Sequence, residues 1–326
     1  MTFRQPPEWA PHQAMWTAWP SHPELWAEDL EPAREAVGAM VRALAGGEPV
    51  TVLAANADAA ADARRALGGT AGVTVTEQPF GDIWLRDTGC IVLSDGRQRR
   101  AAGFRFNGWG GKYVLDGDAE VAGFMATSLG LPFREHGWVL EGGAIDVDGT
   151  GLAVTTEQCL LNLNRNPGLT RTNIEERLRE DLGIDRLLWL GEGLAGDHTD
   201  GHVDNLARFV APGVLALPEP AGADDPNAAA YADAHARARA FGLTIAPLPS
   251  PGRIEWDGEP VAASYMNFVL GNGTVVVPLY GADGDEGAVE RIGTLFPGRR
   301  TVGVRADAVL TGGGSFHCIT QQVPLP

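Results

Sequence analysis

A thiol becomes a nucleophile when a base and an acidic grip are set beside it. Cys318 follows three consecutive glycines, Gly312, Gly313 and Gly314, by four residues. Such a run lets the backbone turn sharply and pack closely against a ligand or a strand. The plain alternative is a C-terminal hairpin with a buried Cys. A base is on offer in Gly196-Asp197-His198-Thr199-Asp200-Gly201-His202-Val203-Asp204, the densest polar cluster in the chain, which runs into an apolar stretch. His202 and Asp204 are two apart, so a strand here would turn both side chains to one face. His198, His202, Asp204 and Cys318 could also form a metal set, although their spacing matches no structural zinc signature.

Further acids stand in Gly-rich settings. Asp82-Ile83-Trp84-Leu85-Arg86-Asp87-Thr88-Gly89 reads as a short apolar strand delivering Arg86 and Asp87 to a turn, or as an internal salt bridge. Glu141 heads a strand-turn-strand unit and is followed at once by Gly142 and Gly143, with an exposed turn carboxylate as the alternative. Trp109 sits in a loop with Gly103, Gly108, Gly110 and Gly111, placed to wall a pocket or to cap the core.

The elements that must hold these groups are legible from periodicity and punctuation. Helices are expected over Glu31–Leu44, ended by Gly46-Gly47, over Ala57–Leu67, and around Val121, Phe124, Met125 and Leu129. Thr172-Asn173-Ile174-Glu175 has the form of a capping box, with Gly183 past the helix end. Tyr265 to Pro278 reads as a strand, an Asn272-Gly273 turn and a strand, with a last helix around Val289, Ile292, Leu295 and Phe296. Trp9, Trp16, Trp19 and Trp26 crowd the start; such tryptophans usually anchor a core, and Trp16 or Trp19 could instead meet a substrate. Asp87, Glu141, His202, Asn267 and Cys318 each open a similar hairpin, and they recur at roughly 50 to 65 residues. A radially repeated α/β architecture of five modules, each aiming one polar residue at a common axis, leaves that trace. No GxGxxG turn follows a first strand, which argues against a Rossmann sheet.

Composition narrows the partners. The 326 residues, 44% hydrophobic and 21% charged, suit a globular chain with a substantial core, read here as one domain over 1–326. A net charge of -17 disfavours nucleic acid and suits a small cation. Cys90, Cys159 and Cys318 are far apart with no CxxC, as expected of a reducing cytoplasm rather than a disulfide scaffold. Neither a leader peptide nor a membrane-spanning run is legible, so no membrane partner is expected.

The motifs Trp84-Leu-Arg-Asp-Thr-Gly, Phe106-Asn-Gly-Trp-Gly-Gly-Lys, Glu141-Gly-Gly, Asp200-Gly-His-Val-Asp-Asn, Tyr265-Met-Asn-Phe and Gly312-Gly-Gly-Ser-Phe-His-Cys-Ile-Thr-Gln-Gln resemble those of the agmatine deiminases. They cover nearly the whole chain in order. That family belongs to the guanidine-modifying, or pentein, superfamily, so the resemblance implies a five-bladed pseudo-symmetric α/β propeller with a central site. It implies Cys318 as nucleophile, His202 as general acid/base, Asp87 and Asp204 as guanidinium clamps, and Glu141 as the group that orients and charges the His. Trp109 and Asn267 would line the pocket; apart from the resemblance, the acidic chain and the Asp-rich segment Asp197 to Asp204 favour a dicationic ligand, with Asp197 a candidate contact. No metal or organic cofactor is implied, and the family's frequent homodimers suggest one here. Two departures bear on the pocket: Cys90 stands where the family usually has Pro, and Ser315-Phe316 replaces Asn-Ile. The alternatives are a deiminase or amidinotransferase of another guanidino compound, peptidyl-arginine included, and a non-catalytic polyamine or guanidine binder.

Overall fold

The computed structural model describes residues 2–326. Apolar stripes at helical spacing form the expected helices: Leu30–Leu44 buries Val37, Met40, Val41 and Leu44, and Ala57–Ala66 is capped by the Asn56 side chain, which accepts from the Ala59 N–H. Each fully buried aliphatic side chain in such a stripe contributes about 1.5–3 kcal/mol. The helix Arg171–Leu182 ends in a left-handed Gly183, as read, but its capping box lies two residues earlier than expected. Thr170 accepts from the Asn173 N–H, because Thr170 precedes the first helical turn and Thr172 lies inside it.

Five sheets repeat one pattern. A short first strand runs antiparallel to a second, and the second runs parallel to a third reached through a helix. Ile91–Ser94, Arg99–Arg105 and Phe133–Val139 make one sheet, with Val121–Ser128 as its crossover. Asp146–Val147, Leu152–Thr156 and Arg186–Leu190 make the next, crossed by Arg171–Leu182. Arg208–Ala211, Val214–Glu219 and Thr244–Pro249 follow with helix Ala228–Phe241, then Val269–Leu270, Thr274–Leu279 and Arg300–Arg305 with helix Asp285–Leu295. The fifth sheet takes strands from both ends of the chain: Thr320–Pro324 pairs antiparallel with His12–Ala18, which runs parallel to Val50–Ala54 and onward to Val73–Glu77. The five expected modules are present, and the recurrence in the sequence is a recurrence of this unit.

What precedes each first strand is not the expected strand. Leu85–Thr88 is a single helical turn, and Gly142–Ala144, Val203–Asn205 and Tyr265–Asn267 are short 3₁₀ turns. Local side chains close them: the Ser264 hydroxyl accepts from the Met266 N–H, and the Thr199 hydroxyl accepts from the His202 N–H. These runs are buried throughout, polar residues included, and a short fully buried run carries no period from which strand can be told from turn. His202 and Asp204 therefore do not share the face of a strand, and Glu141 stands before a turn that leads into its hairpin rather than in the hairpin's first strand.

Candidate active site

The turns deliver polar side chains, and the deliveries meet. The Cys318 Sγ lies 3.2 Å from Asn267 Nδ2 and 3.6 Å from Asp204 Oδ2. Asn267 Oδ1 accepts from the backbone N–H of both His317 (2.9 Å) and Cys318 (3.2 Å), which fixes the turn that carries the thiol. Asp87 Oδ1 accepts from the Gly143 N–H at 2.9 Å and lies 3.8 Å from His202 Nδ1. Asp87 Oδ2 accepts from Trp109 Nε1 at 2.9 Å, so Trp109 both walls the cavity and orients a carboxylate. Trp109 holds a positive φ of 52°, a strained value for a bulky residue, and the Gly108, Gly110 and Gly111 around it absorb the rest of the turn.

A cavity of about 190 Å³ opens above Cys318 and Asp87. Trp26, Asp82, Trp84, Trp109, Tyr113 and His198 are among its walls, and among the described residues no Arg or Lys lines it. From the Trp-rich start it is Trp26 that reaches this cavity, stacked on Trp84 at 6.2 Å, while Trp16 and Trp19 are buried in the core. Asp82 accepts from the indole N–H of both Trp26 (3.0 Å) and Trp84 (2.7 Å). Arg105 is exposed and apart from the cavity.

The electrostatics are those of a site short of positive charge. Burial and the negative charges of Asp204 and Asp87 push the Cys318 thiol well above its usual range. Burial pushes Asp87 up as well, with Asp204 and Glu141 adding to the rise. Burial alone would lower His202, yet Asp87, Cys159 and Glu141 outweigh it and hold the imidazole well above its usual value. Asp204 is held low against its own burial by His317, whose Nδ1 lies 2.7 Å from Asp204 Oδ2. Asp204 Oδ1, Glu141 Oε2 and both ring nitrogens of His202 are buried with no protein partner among the described residues. Buried polar atoms are rarely left this way.

Asp197 is a correction. It does not line the Cys318 cavity, because its Oδ1 accepts from the Thr199 N–H (2.8 Å) and hydroxyl (2.5 Å), closing an Asx turn on itself. It faces an outer cavity with Lys112 and Trp256 instead. Among the described residues the set His198, His202, Asp204 and Cys318 does not gather as metal ligands; the group of three that does is Glu141, Cys159 and His202, whose ligand atoms lie within 4.8 Å of one another. Three participants escaped the sequence reading. Glu8 meets His317 Nε2 at 2.6 Å and also pairs with Arg86 and Arg208, His317 joins Glu8 to Asp204, and Arg165 donates to Glu141 at 2.7 Å. Arg165 had a signal, a cation amid the turn formers Asn162, Asn164, Asn166 and Pro167; Glu8, among prolines and tryptophans, had only its incongruity.

A family model described as Porphyromonas-type peptidyl-arginine deiminase matches residues 4–324. The agmatine deiminase of Stutzerimonas stutzeri is 40% identical over 99% of this chain and 96% of its own length. The solved agmatine deiminase of Enterococcus faecalis superposes with a TM-score of 0.94 at 34% identity, covering 99% of this chain and 96% of that one. DDAH from Pseudomonas aeruginosa shares the fold alone, with a TM-score of 0.55 at 16% identity over 96% of this chain and 99% of that one. Motif order, repeated module and full-length likeness agree: the chain belongs to the Porphyromonas-type peptidyl-arginine deiminase family, and within it to the agmatine deiminases of the pentein fold.

Proposed function

We propose that this protein, read as one catalytic domain, hydrolyses agmatine to N-carbamoylputrescine and ammonia, with Cys318 as nucleophile and His202 as the proton donor and acceptor. The observation that carries the reading is a thiol flanked by buried carboxylates: Cys318 and Asp87 line a cavity with no Arg or Lys among its described lining residues, and Asp204, 3.6 Å from the sulfur, keeps its Oδ1 without a partner. A guanidinium is planar and permanently charged, and carboxylates that accept its N–H groups fix its plane and hold its charge. As it binds, its charge offsets the two acids that hold the Cys318 thiol neutral, and the thiol proton is lost to solvent. The thiolate attacks the guanidinium carbon, a C–S bond forms, and His202 gives its proton to one amino group, which departs as ammonia. A thiouronium remains on Cys318. Neutral His202 then takes a proton from water, whose oxygen adds to the same carbon; the C–S bond breaks, and the excess proton of the nascent urea restores the thiol.

The lining of the cavity favours agmatine over arginine. Asp82 and the rings of Trp84 and Tyr113 suit an ammonium, and among the described residues no Arg or Lys lines the cavity to receive an α-carboxylate. An uncompensated carboxylate costs several kcal/mol in such a place. The kcat/KM for agmatine is therefore expected to exceed that for free arginine by at least about a hundredfold, measured as ammonia and ureido product across agmatine, arginine, guanidinobutyrate and an arginyl peptide. Comparable values for arginine or the peptide would reject agmatine; no ammonia from any of them would leave a binding protein.

A further inference from the structure

Behind Glu141 lies an ion chain that the chemistry above does not use. The Arg165 side chain has no exposed surface, and its donors go in separate directions: Nε to Glu141 Oε1 (2.7 Å), Nη1 to Asp200 Oδ2 (2.6 Å) and Asn164 Oδ1 (2.9 Å), Nη2 to the Thr199 carbonyl (2.7 Å). Burial of this cation is offset by Glu141 foremost, and the guanidinium is held above its ordinary value. Asp200 continues the chain outward. Its other oxygen accepts from Lys112 Nζ at 2.5 Å, and Lys112 also donates to the His198 carbonyl at 2.8 Å. Lys112, Asn164 and Arg165 hold the Asp200 carboxyl down to about 2 against its burial.

The partners in this chain belong to different walls of the cavity. Lys112 comes from the turn that carries Trp109 and Tyr113. Asp200 comes from the turn that carries His198 and Thr199, and its φ of 62° is an uncommon one that the two cations help to hold. Thr199, gripped by Arg165 through its carbonyl, accepts from the His202 N–H through its hydroxyl at 3.0 Å. Asn107 Nδ2 donates to the Asn164 carbonyl at 2.9 Å and ties the Trp109 turn to the Arg165 turn directly. One guanidinium and one ammonium thus connect the rim of the cavity to both the backbone of His202 and the carboxylate beside it.

We propose that Arg165 is a positioning residue that sets Glu141 and the His202 turn for proton transfer, and that Lys112 and Asp200 couple this setting to the two turns at the cavity rim. The proposal rests on the reading of His202 as proton donor and acceptor. A positioning role differs from a structural one in what it changes: the proton-transfer steps slow, while Asp87, Asp204 and the cavity walls still hold the substrate.

The test compares Arg165→Gln, Arg165→Lys, Lys112→Met, Asp200→Asn and the Lys112→Met/Asp200→Asn double variant, measuring kcat and KM with agmatine and checking folding by circular dichroism. Arg165→Gln is expected to lower kcat by about a hundredfold with KM within about threefold. Arg165→Lys is expected not to restore it, since one ammonium cannot serve acceptors spread around a planar fork. Lys112→Met and Asp200→Asn are each expected to lower kcat about tenfold, and the double variant no further than the worse single one. A folded Arg165→Gln with kcat within about threefold of wild type, a loss confined to KM, or full additivity at Lys112 and Asp200 would overturn the proposal. Should Arg165→Gln fail to fold, Lys112→Met decides, because Lys112 is 36% exposed and its loss leaves the core intact; unchanged kcat there overturns the coupling. A wild type that released no ammonia would reject the functional reading beneath, and the proposal with it.

Discussion

Cys318 is an unactivated thiol in the free protein, and this follows from its neighbours. Its sulfur touches Asn267 and Asp204, whereas the imidazole of His202, the proposed proton carrier, lies beside Asp87. Buried next to two acids, the thiol sits above the ordinary range, so at neutral pH the thiolate fraction is below that of a free cysteine and keeps growing with pH beyond the point where an ordinary thiol is fully ionised. A cation in the cavity offsets that local field. Two alkylating reagents separate the cases: neutral iodoacetamide, and chloroacetamidine, whose amidinium brings its own positive charge. Iodoacetamide is expected to modify Cys318 slowly at pH 7 to 8 and progressively faster above pH 9. Chloroacetamidine is expected to reach Cys318 at neutral pH at least about tenfold faster than iodoacetamide, relative to their rates with a free thiol. The site of reaction is read by peptide mass spectrometry. Matching pH profiles for the two reagents, or modification at Cys90 or Cys159, would show that the field at Cys318 is not what holds it neutral.

At the level of elements, the turn before each first strand is the working part. A strand would project side chains alternately to two faces, but a tight turn lets Asp87, Asp204 and Asn267 all point inward from a buried backbone. Gly143 shows how little room remains. A Cβ there would lie 2.5 Å from His202 Nδ1, 3.0 Å from Asp87 Oδ1 and 3.2 Å from Asp204 Oδ2, while the Gly143 N–H itself holds Asp87. Gly143→Ala is therefore expected to keep the fold, since the crowding is with three side chains rather than backbone, and to lower kcat/KM for agmatine at least about a hundredfold. Circular dichroism with steady-state kinetics checks both halves, and near-wild-type activity would mean that His202 has space to move. The sequence announced these sites through glycines and hairpins but mistook their geometry. Asn272-Gly273 and the helix stripes carry periodic or turn-specific signals, whereas Leu85–Thr88 and Tyr265–Asn267 are too short and too uniformly buried to show any. Asp197 was misread for a related reason: composition marks an acidic segment, but only the Asx turn to Thr199 decides which acid faces the cavity.

The whole molecule is closed by its two ends, and that closure completes the site. Thr320–Pro324 zips onto His12–Ala18, which brings Glu8 to His317, 309 residues away in the chain. Contacts of that span leave no local trace, which is why Glu8 and His317 were invisible where the modular recurrence was plain. The charge of the molecule acts at the same scale. With a net charge of -17, the surface field draws a small cation toward a cavity whose described walls carry no Lys or Arg. Salt screens that field, the Debye length falling from about 10 Å at 0.1 M to about 3 Å at 1 M, but it screens the buried carboxylates around Cys318 far less. Capture should therefore suffer and chemistry should not. Between about 0.02 and 0.5 M NaCl, kcat/KM for agmatine is expected to fall at least about threefold while kcat holds steady. Neutral iodoacetamide serves as the control, since its inactivation rate should not follow salt in the same way. A salt-independent kcat/KM would confine the attraction to the buried acids and leave the surface charge to solubility alone.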